Sequence, residues 1–342
     1  MTSSSDGVDV PGFYAYDYDE LPDQSHIRLF ELFPGKPEDP VQGRLLTGSI
    51  AQVPLYESIS YVWGDQTDIC AIICAGRALR ITRSLHEALR TVRPAHGSRP
   101  RLLWADALCI NQANPQERGH QVQLMRSIYA LAARVLVWLG RDDTGKAHEA
   151  IGALERIAGT WGTSHIVRLC QVLDPAVFHA IRGLLGRSWF DRIWVLQEIG
   201  VASSAVFFCG EAVISWTDLY IACQNLRQCG AEAGSQRQVD VRKVLRIFEF
   251  FQFNAPRYSI RFNVFHLLNE TRLSLASDPR DKVYALLGHP LFKDERGREF
   301  IPVDYTLTRD EVYAKVAMRL LQEPLGLSQL FSYVQHDHQT LT

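Results

Sequence analysis

Forty residues, Arg101 to Gly140, constrain this chain more than any other stretch: RLLWADALCINQANPQERGHQVQLMRSIYALAARVLVWLG. They read as strand, polar turn, helix and strand. Leu102, Leu103, Trp104, Ala105, Ala107, Leu108 and Ile110 form an apolar run broken only at Asp106 and Cys109, as expected of a strand buried on both faces of a parallel sheet. Asn114, Pro115 and Glu117 supply an N-cap, a proline at the first helical position and a capping-box partner. Val122, Met125, Tyr129 and Ala132 then recur at helical spacing, and Val135-Leu-Val-Trp-Leu139 begins a second buried strand. Such a β-α-β unit carries Asp106, Cys109, Asn111 and Gln112 at or just beyond the carboxyl end of its first strand, where open α/β sheets bind ligands.

The flanking sequence extends this unit. Ser58 to Trp63 reads as a short buried strand, with Gly64 and Asp65 turning the chain. Cys70 to Cys74 and Ala78 to Ile81 flank Ala75-Gly76-Arg77, a hairpin pattern, and Ser84 with Glu87 reads as a capping box. Ser188 to Glu198 reads as one helix, and a second hairpin surrounds Gly210-Glu211. His26 to Phe33 alternates as an added edge strand, whereas residues 1 to 12 read as disordered. Beyond Thr217 the pattern is mainly helical, with cap signals at Asp278-Pro279-Arg280-Asp281 and at Thr308 with Glu311.

The fold class expected is α/β: an open, mostly parallel sheet flanked by helices, with added β-hairpins and a helical C-terminal lobe. Trp104 to Leu108 and Val135 to Leu139 are expected as neighbouring central strands. The divisions expected are residues 1–55 as a lead-in with an edge strand, 56–200 as the core, and 201–342 as the extension.

Charge and cysteine content narrow the function classes. A formal net charge of −2 over 342 residues offers no electrostatic footprint for nucleic acid or an anionic membrane. The start, MTSSSDGVDVPG, lacks an apolar leader, and no segment approaches a membrane span. Seven cysteines in apolar segments suit reduced thiols, and Cys70 and Cys74 lack the partners of a zinc set. A cytoplasmic protein is expected, with no metal, no required cofactor, no nucleic-acid partner and no membrane partner.

Glu198 is the leading candidate for chemistry. A carboxylate at a helix end among tryptophans has its pKa raised by the dipole and by desolvation, which suits stabilising a transient cation or activating water. A structural ion pair with Arg192 or Arg187 is the competing reading. Asp106, Asn111 and Gln112 could bond ribose hydroxyls or a carboxamide, or else hold the turn by side-chain bonds. Arg118 could face a phosphate or an acidic neighbour. Gly64 is expected to supply a positive φ or a close backbone approach, and Asp65 to bind a hydroxyl or cap the following turn. Cys109 reads as a core thiol.

WADALCINQ with the NPQERGHQVQLMRSIYALAARVLVWLG that follows, SYVWGD at Ser60 to Asp65, RSWFDRIWVLQEI at Arg187 to Ile199 and DPRDKVYALLG at Asp278 to Gly288 closely resemble the blocks of the heterokaryon incompatibility (HET) domain of filamentous fungi. That domain is in turn remotely similar to the TIR domain, an open parallel α/β fold in which a helix-borne glutamate cleaves the nicotinamide-ribose bond of NAD. The resemblance implies NAD as a substrate, Glu198 as the cleaving glutamate, Asp106 and Asn111 positioning the ribose, and Trp63 or Trp194 stacking on a cofactor ring. This sequence departs from the TIR pattern in lacking the cysteine beside tryptophan and in its Trp-to-Glu spacing. Two function classes therefore stand: a NAD-consuming effector of cell death after non-self recognition, and a non-enzymatic module that signals by self-association or partner binding. Either requires an upstream non-self sensor that the sequence does not name. HET proteins usually continue with further blocks, so the end at HDHQTLT reads as cut.

Overall fold

The computed structural model describes residues 14–229, 237–251, 264–293 and 300–322. The expectations for residues 1 to 12 and for the end at HDHQTLT lie outside them. Among the described residues nine strands form a single mixed sheet: β1 (His26–Leu32), β2 (Gln42–Ser49), β3 (Glu57–Tyr61), β4 (Ile69–Cys74), β5 (Arg77–Thr82), β6 (Arg101–Trp104), β7 (Val135–Trp138), β8 (Ala205–Cys209) and β9 (Ala212–Ser215). Their spatial order is β5-β4-β2-β1-β6-β3-β7-β8-β9. The centre, β6-β3-β7-β8, is parallel throughout, and an antiparallel hairpin closes each end of the sheet.

The helices are α1 (Arg83–Val92), α2 (Asp106–Cys109), α3 (Pro115–Leu131), α4 (Ala147–Ala158), α5 (Thr163–Val172), α6 (Pro175–Leu185), α7 (Val195–Gly200), α8 (Trp216–Cys229), α9 (Arg242–Phe251), α10 (Val264–Thr271), α11 (Asp281–Tyr284) and α12 (Arg309–Leu321). Expectations that depend on local chemistry match these elements. Asn114 caps α3 by accepting from the backbone of Gln116 and Glu117, with Pro115 following. Ala75 and Gly76 both take positive φ in the tight turn between β4 and β5, the backbone that a two-residue hairpin requires. Thr308 and Glu311 complete the capping box of α12.

Five local expectations are corrected. The first strand of the central unit ends at Trp104, and Asp106 to Cys109 coils into α2; a buried apolar run suits either state, and the Asp106 carboxylate accepts from the Ala107 backbone to start the turn. Next, β6 and β7 are not neighbours, because β3 lies between them and pairs with both. Third, β1 is interior, paired with β2 and β6, so the lead-in is no edge. Its half-exposed look came from Arg28, which is in fact buried. Fourth, α1 is capped by Thr82; Ser84 donates to the Val62 carbonyl, and Glu87 pairs with Arg141. Fifth, residues 188–198 are not one helix. A 3-10 turn over Ser188–Asp191 gives way to α7 because the backbone at Asp191 and Ile193 bonds to Leu275 instead of continuing the helix.

The C-terminal helices are joined to one another through a histidine. His289, 1% exposed, accepts at Nδ1 from the Leu291 amide and donates from Nε2 to the Phe250 carbonyl at 2.9 Å. Both ring nitrogens are thus committed in the neutral form, and burial lowers the pKa from 6.5 to about 4. Between those values the unfolded chain binds a proton that the folded chain does not. The contribution to stability is therefore complete above pH 6.5 and is lost progressively as pH falls toward 4. Melting curves of wild type and His289→Gln across this range are expected to converge as pH drops; parallel curves would contradict the assignment.

Candidate functional site

Ser60 is a polar residue within a central strand, where an unpaired hydroxyl would be costly. It is 1% exposed and sits near the carboxyl end of β3. There it accepts from the indole Nε1 of Trp189 at 2.8 Å and donates to Oε2 of Glu198. Arg192 completes the cluster: its Nη1 lies 3.7 Å from Glu198 Oε1 and donates to the Tyr61 carbonyl. Trp189 is held edge-on against Phe190 and Phe207, so the donor to Ser60 has little freedom.

The environment sets the charge state. Glu198 is 2% exposed, and burial pushes its carboxyl pKa up, opposed by Arg192 and the Ser60 hydrogen bond, while Asp106 pushes it further up. The expected dipole argument is corrected here. Glu198 lies in the first turn of the six-residue α7, at the positive end of that helix, so desolvation is the cause of the shift. Burial and then Asp106 raise the pKa of Tyr61, while burial and then Glu198 raise that of Tyr129, whose hydroxyl donates to the Ile59 carbonyl. A carboxylate, a guanidinium and two phenols thus share a water-poor space where strand ends meet α7.

The other candidates separate into three places. Trp63 donates through Nε1 to Asp106 Oδ2 at 2.8 Å and forms part of a groove of about 320 Å³ together with Tyr18, Arg80, Asn111 and Gln112. Inside that groove Asn111 accepts from the Ala113 amide, and Gln112 donates to the Asp106 carbonyl, so both also hold the turn. Glu198 does not line the groove. Gly64 has the expected positive φ, 72°. Asp65, however, is exposed, and its carboxylate accepts from Thr67, which lowers its pKa, whereas Asp106 lies close enough to Glu198 to raise the pKa of that carboxyl. Arg118 and Trp194 point elsewhere. Arg118 stacks 4.1 Å over the Tyr305 ring, and Trp194 donates to Asp281, whose pKa burial raises.

Two further sequence readings are resolved by geometry. Glu117 is no capping-box partner, because its carboxylate turns inward to the Arg28 guanidinium at 2.6 and 3.1 Å and to the Asn111 amide at 2.7 Å. Cys109 is fully buried, and burial raises its thiol pKa to about 12, which leaves it protonated and unreactive. Sequence reasoning missed Ser60, Tyr61 and Tyr129. The available signal was a serine embedded in the apolar run of Ser58 to Val62, which demands a buried partner.

Comparison with known proteins places this geometry in context. Residues 56–198 match the family described as heterokaryon incompatibility protein (HET). The chain is 31% identical to "Heterokaryon incompatibility protein 6, OR allele" of Neurospora crassa, in an alignment that takes in 94% of this chain and 56% of that protein. It thus spans little more than half the length of the curated relative it matches. No solved structure matches it.

Proposed function

This chain belongs to the heterokaryon incompatibility (HET) family, and from that premise we propose that it is an effector of fungal non-self recognition whose output is cell death. The finer reading is that the HET core hydrolyses the nicotinamide-ribose bond of NAD in a TIR-like manner. In that reaction the bond from the ribose C1′ to the nicotinamide nitrogen breaks, nicotinamide leaves, and water adds at C1′ through an oxocarbenium-like transition state. A carboxylate in a water-poor space stabilises that cation more than it stabilises the ground state.

The observation that carries this reading is Glu198 itself, a desolvated carboxylate bonded to Ser60 near the carboxyl end of β3 and close enough to Asp106 for that residue to raise its pKa. Because Glu198 is 2% exposed, hydrolysis requires that the side chains packed over it move to admit NAD.

A second reading rests on the same residue. Ser60 and Arg192 engage the carboxylate from within the fold, as befits a structural keystone. On that reading the HET core signals by self-association or by binding a partner. Incubating the purified chain with NAD, both dilute and clustered through a fused dimerisation tag, and measuring free nicotinamide separates the two. Release on clustering supports hydrolysis; no release in either state leaves the signalling module.

A further inference from the structure

A second groove opens where β3, β6 and β7 begin, and its charge is unlike that of the chain as a whole. Arg93, Arg99, Arg101 and Arg134 line it with a single carboxylate, Glu57, within a volume of about 790 Å³. Four guanidiniums against one carboxylate leave a formal +3, on a chain whose net charge is −2. Such a concentration of one sign is costly to fold unless something offsets it.

The side-chain geometry shows which positive edges remain open. Glu57 takes the Nε of Arg134 on one oxygen and the Nε of Arg101 on the other, the latter at 2.7 Å. This holds two guanidiniums side by side through their inner edges. One terminal nitrogen of Arg101 donates to the Val92 carbonyl, whereas among the described residues Arg134 is engaged through its Nε alone. Arg93 spends its terminal nitrogens on the carbonyls of Lys36, Asp39 and Pro40, so it adds charge to the wall without an open fork. Arg99 is exposed and has no ion-pair partner among the described residues. Leu55, 78% exposed, places apolar surface in the same groove.

We propose that this groove binds an oligophosphate of the nucleoside di- and triphosphate class. Guanidinium groups match phosphate oxygens in geometry and charge, and the open edge of Arg134 beside the remaining donors of Arg101, both anchored on one carboxylate, suits a chain of phosphates better than a single anion. The volume exceeds what a lone phosphate fills, and the apolar surface at Leu55 receives the organic part. The site is distinct from the Glu198 cluster. Glu57 and Ser60 are three residues apart on β3, roughly 10 Å along the strand. It does not depend on whether Glu198 cleaves NAD.

Isothermal titration of the full chain with pyrophosphate and with ATP tests this. Saturable binding that weakens with added potassium chloride is expected. The double variant Arg99→Ala with Arg134→Ala should bind about tenfold or more weakly, since hydrogen bonds between charged groups are lost, with the melting temperature as a check on folding. Should that variant fold poorly, Arg99→Ala alone, at an exposed position, must still weaken binding. Absence of saturable binding for both ligands, or equal affinity in the variants, overturns the proposal. Flotation on vesicles containing phosphatidylinositol bisphosphate without uptake of pyrophosphate or ATP assigns the groove to a lipid headgroup and overturns it as well.

Discussion

Glu198→Gln is expected to abolish nicotinamide release while leaving a folded protein. Glutamine keeps the shape, and its carbonyl oxygen still accepts from Ser60, but the negative charge beside the developing cation is gone. Removing one such preorganised electrostatic group lowers turnover by about 10²- to 10³-fold in enzymes of other classes. Glu198→Ala should behave differently. It strands the Ser60 hydroxyl and leaves the largely buried Arg192 without its counter-charge, a change of about 3 kcal/mol or more in stability. Turnover and melting temperature measured together on the two variants decide the role. If the glutamine variant releases nicotinamide as fast as wild type, Glu198 is no part of the chemistry. If wild type is inert and only the alanine variant melts early, the carboxylate is a keystone of the fold.

Arg28→Ala carries the largest expected effect on stability alone. Arg28 is 2% exposed, and its guanidinium makes two bonds to Glu117, one to the Cys109 carbonyl and one to the Asp19 carbonyl. Those bonds tie β1 to the turn between α2 and α3, which carries Asn111 and Gln112. Deleting one partner of a buried ion pair leaves an uncompensated charge and costs about 3–5 kcal/mol. In a chain of this length that lowers the melting temperature by on the order of 5 °C. Arg44 is the control. It pairs with Glu31 of the same strand β1 but is half exposed, so Arg44→Ala should cost less than about 1 kcal/mol. Equal melting temperatures for the two variants would show that the buried pair does not hold this region.

The difference between these two arginines also shows how far sequence reading reached. His26 to Phe33 alternates well enough to be recognised as a strand, but neither Arg28 nor Glu31 carries in its sequence position a sign of which one is buried. Only the structure shows that β6 covers one flank of β1 and that Glu117 waits opposite Arg28. The same limit applies to the candidate site. Glu198, Trp63, Asp106, Asn111 and Gln112 could be selected by residue type and by position at strand ends. The hydroxyl that holds Glu198 came from an unremarked serine more than a hundred residues away in the chain.

Elements whose defining hydrogen bonds close within a few residues were determined by sequence alone. The Asn114 cap, the turn at Ala75 and Gly76 and the capping box at Thr308 are of this kind, because the side chain and the backbone group it satisfies are neighbours. The apolar content of β6 and β7 likewise marked them as interior. What tertiary structure decided was competition between distant partners. Leu275 takes the backbone bonds that would have made Ser188 to Glu198 one helix, Arg28 draws Glu117 away from its capping box, and β3 enters between β6 and β7. In each case a local interaction of modest strength yields to a buried pairing whose groups would otherwise be stranded away from water, and no periodicity in the sequence records which distant segment supplies the partner.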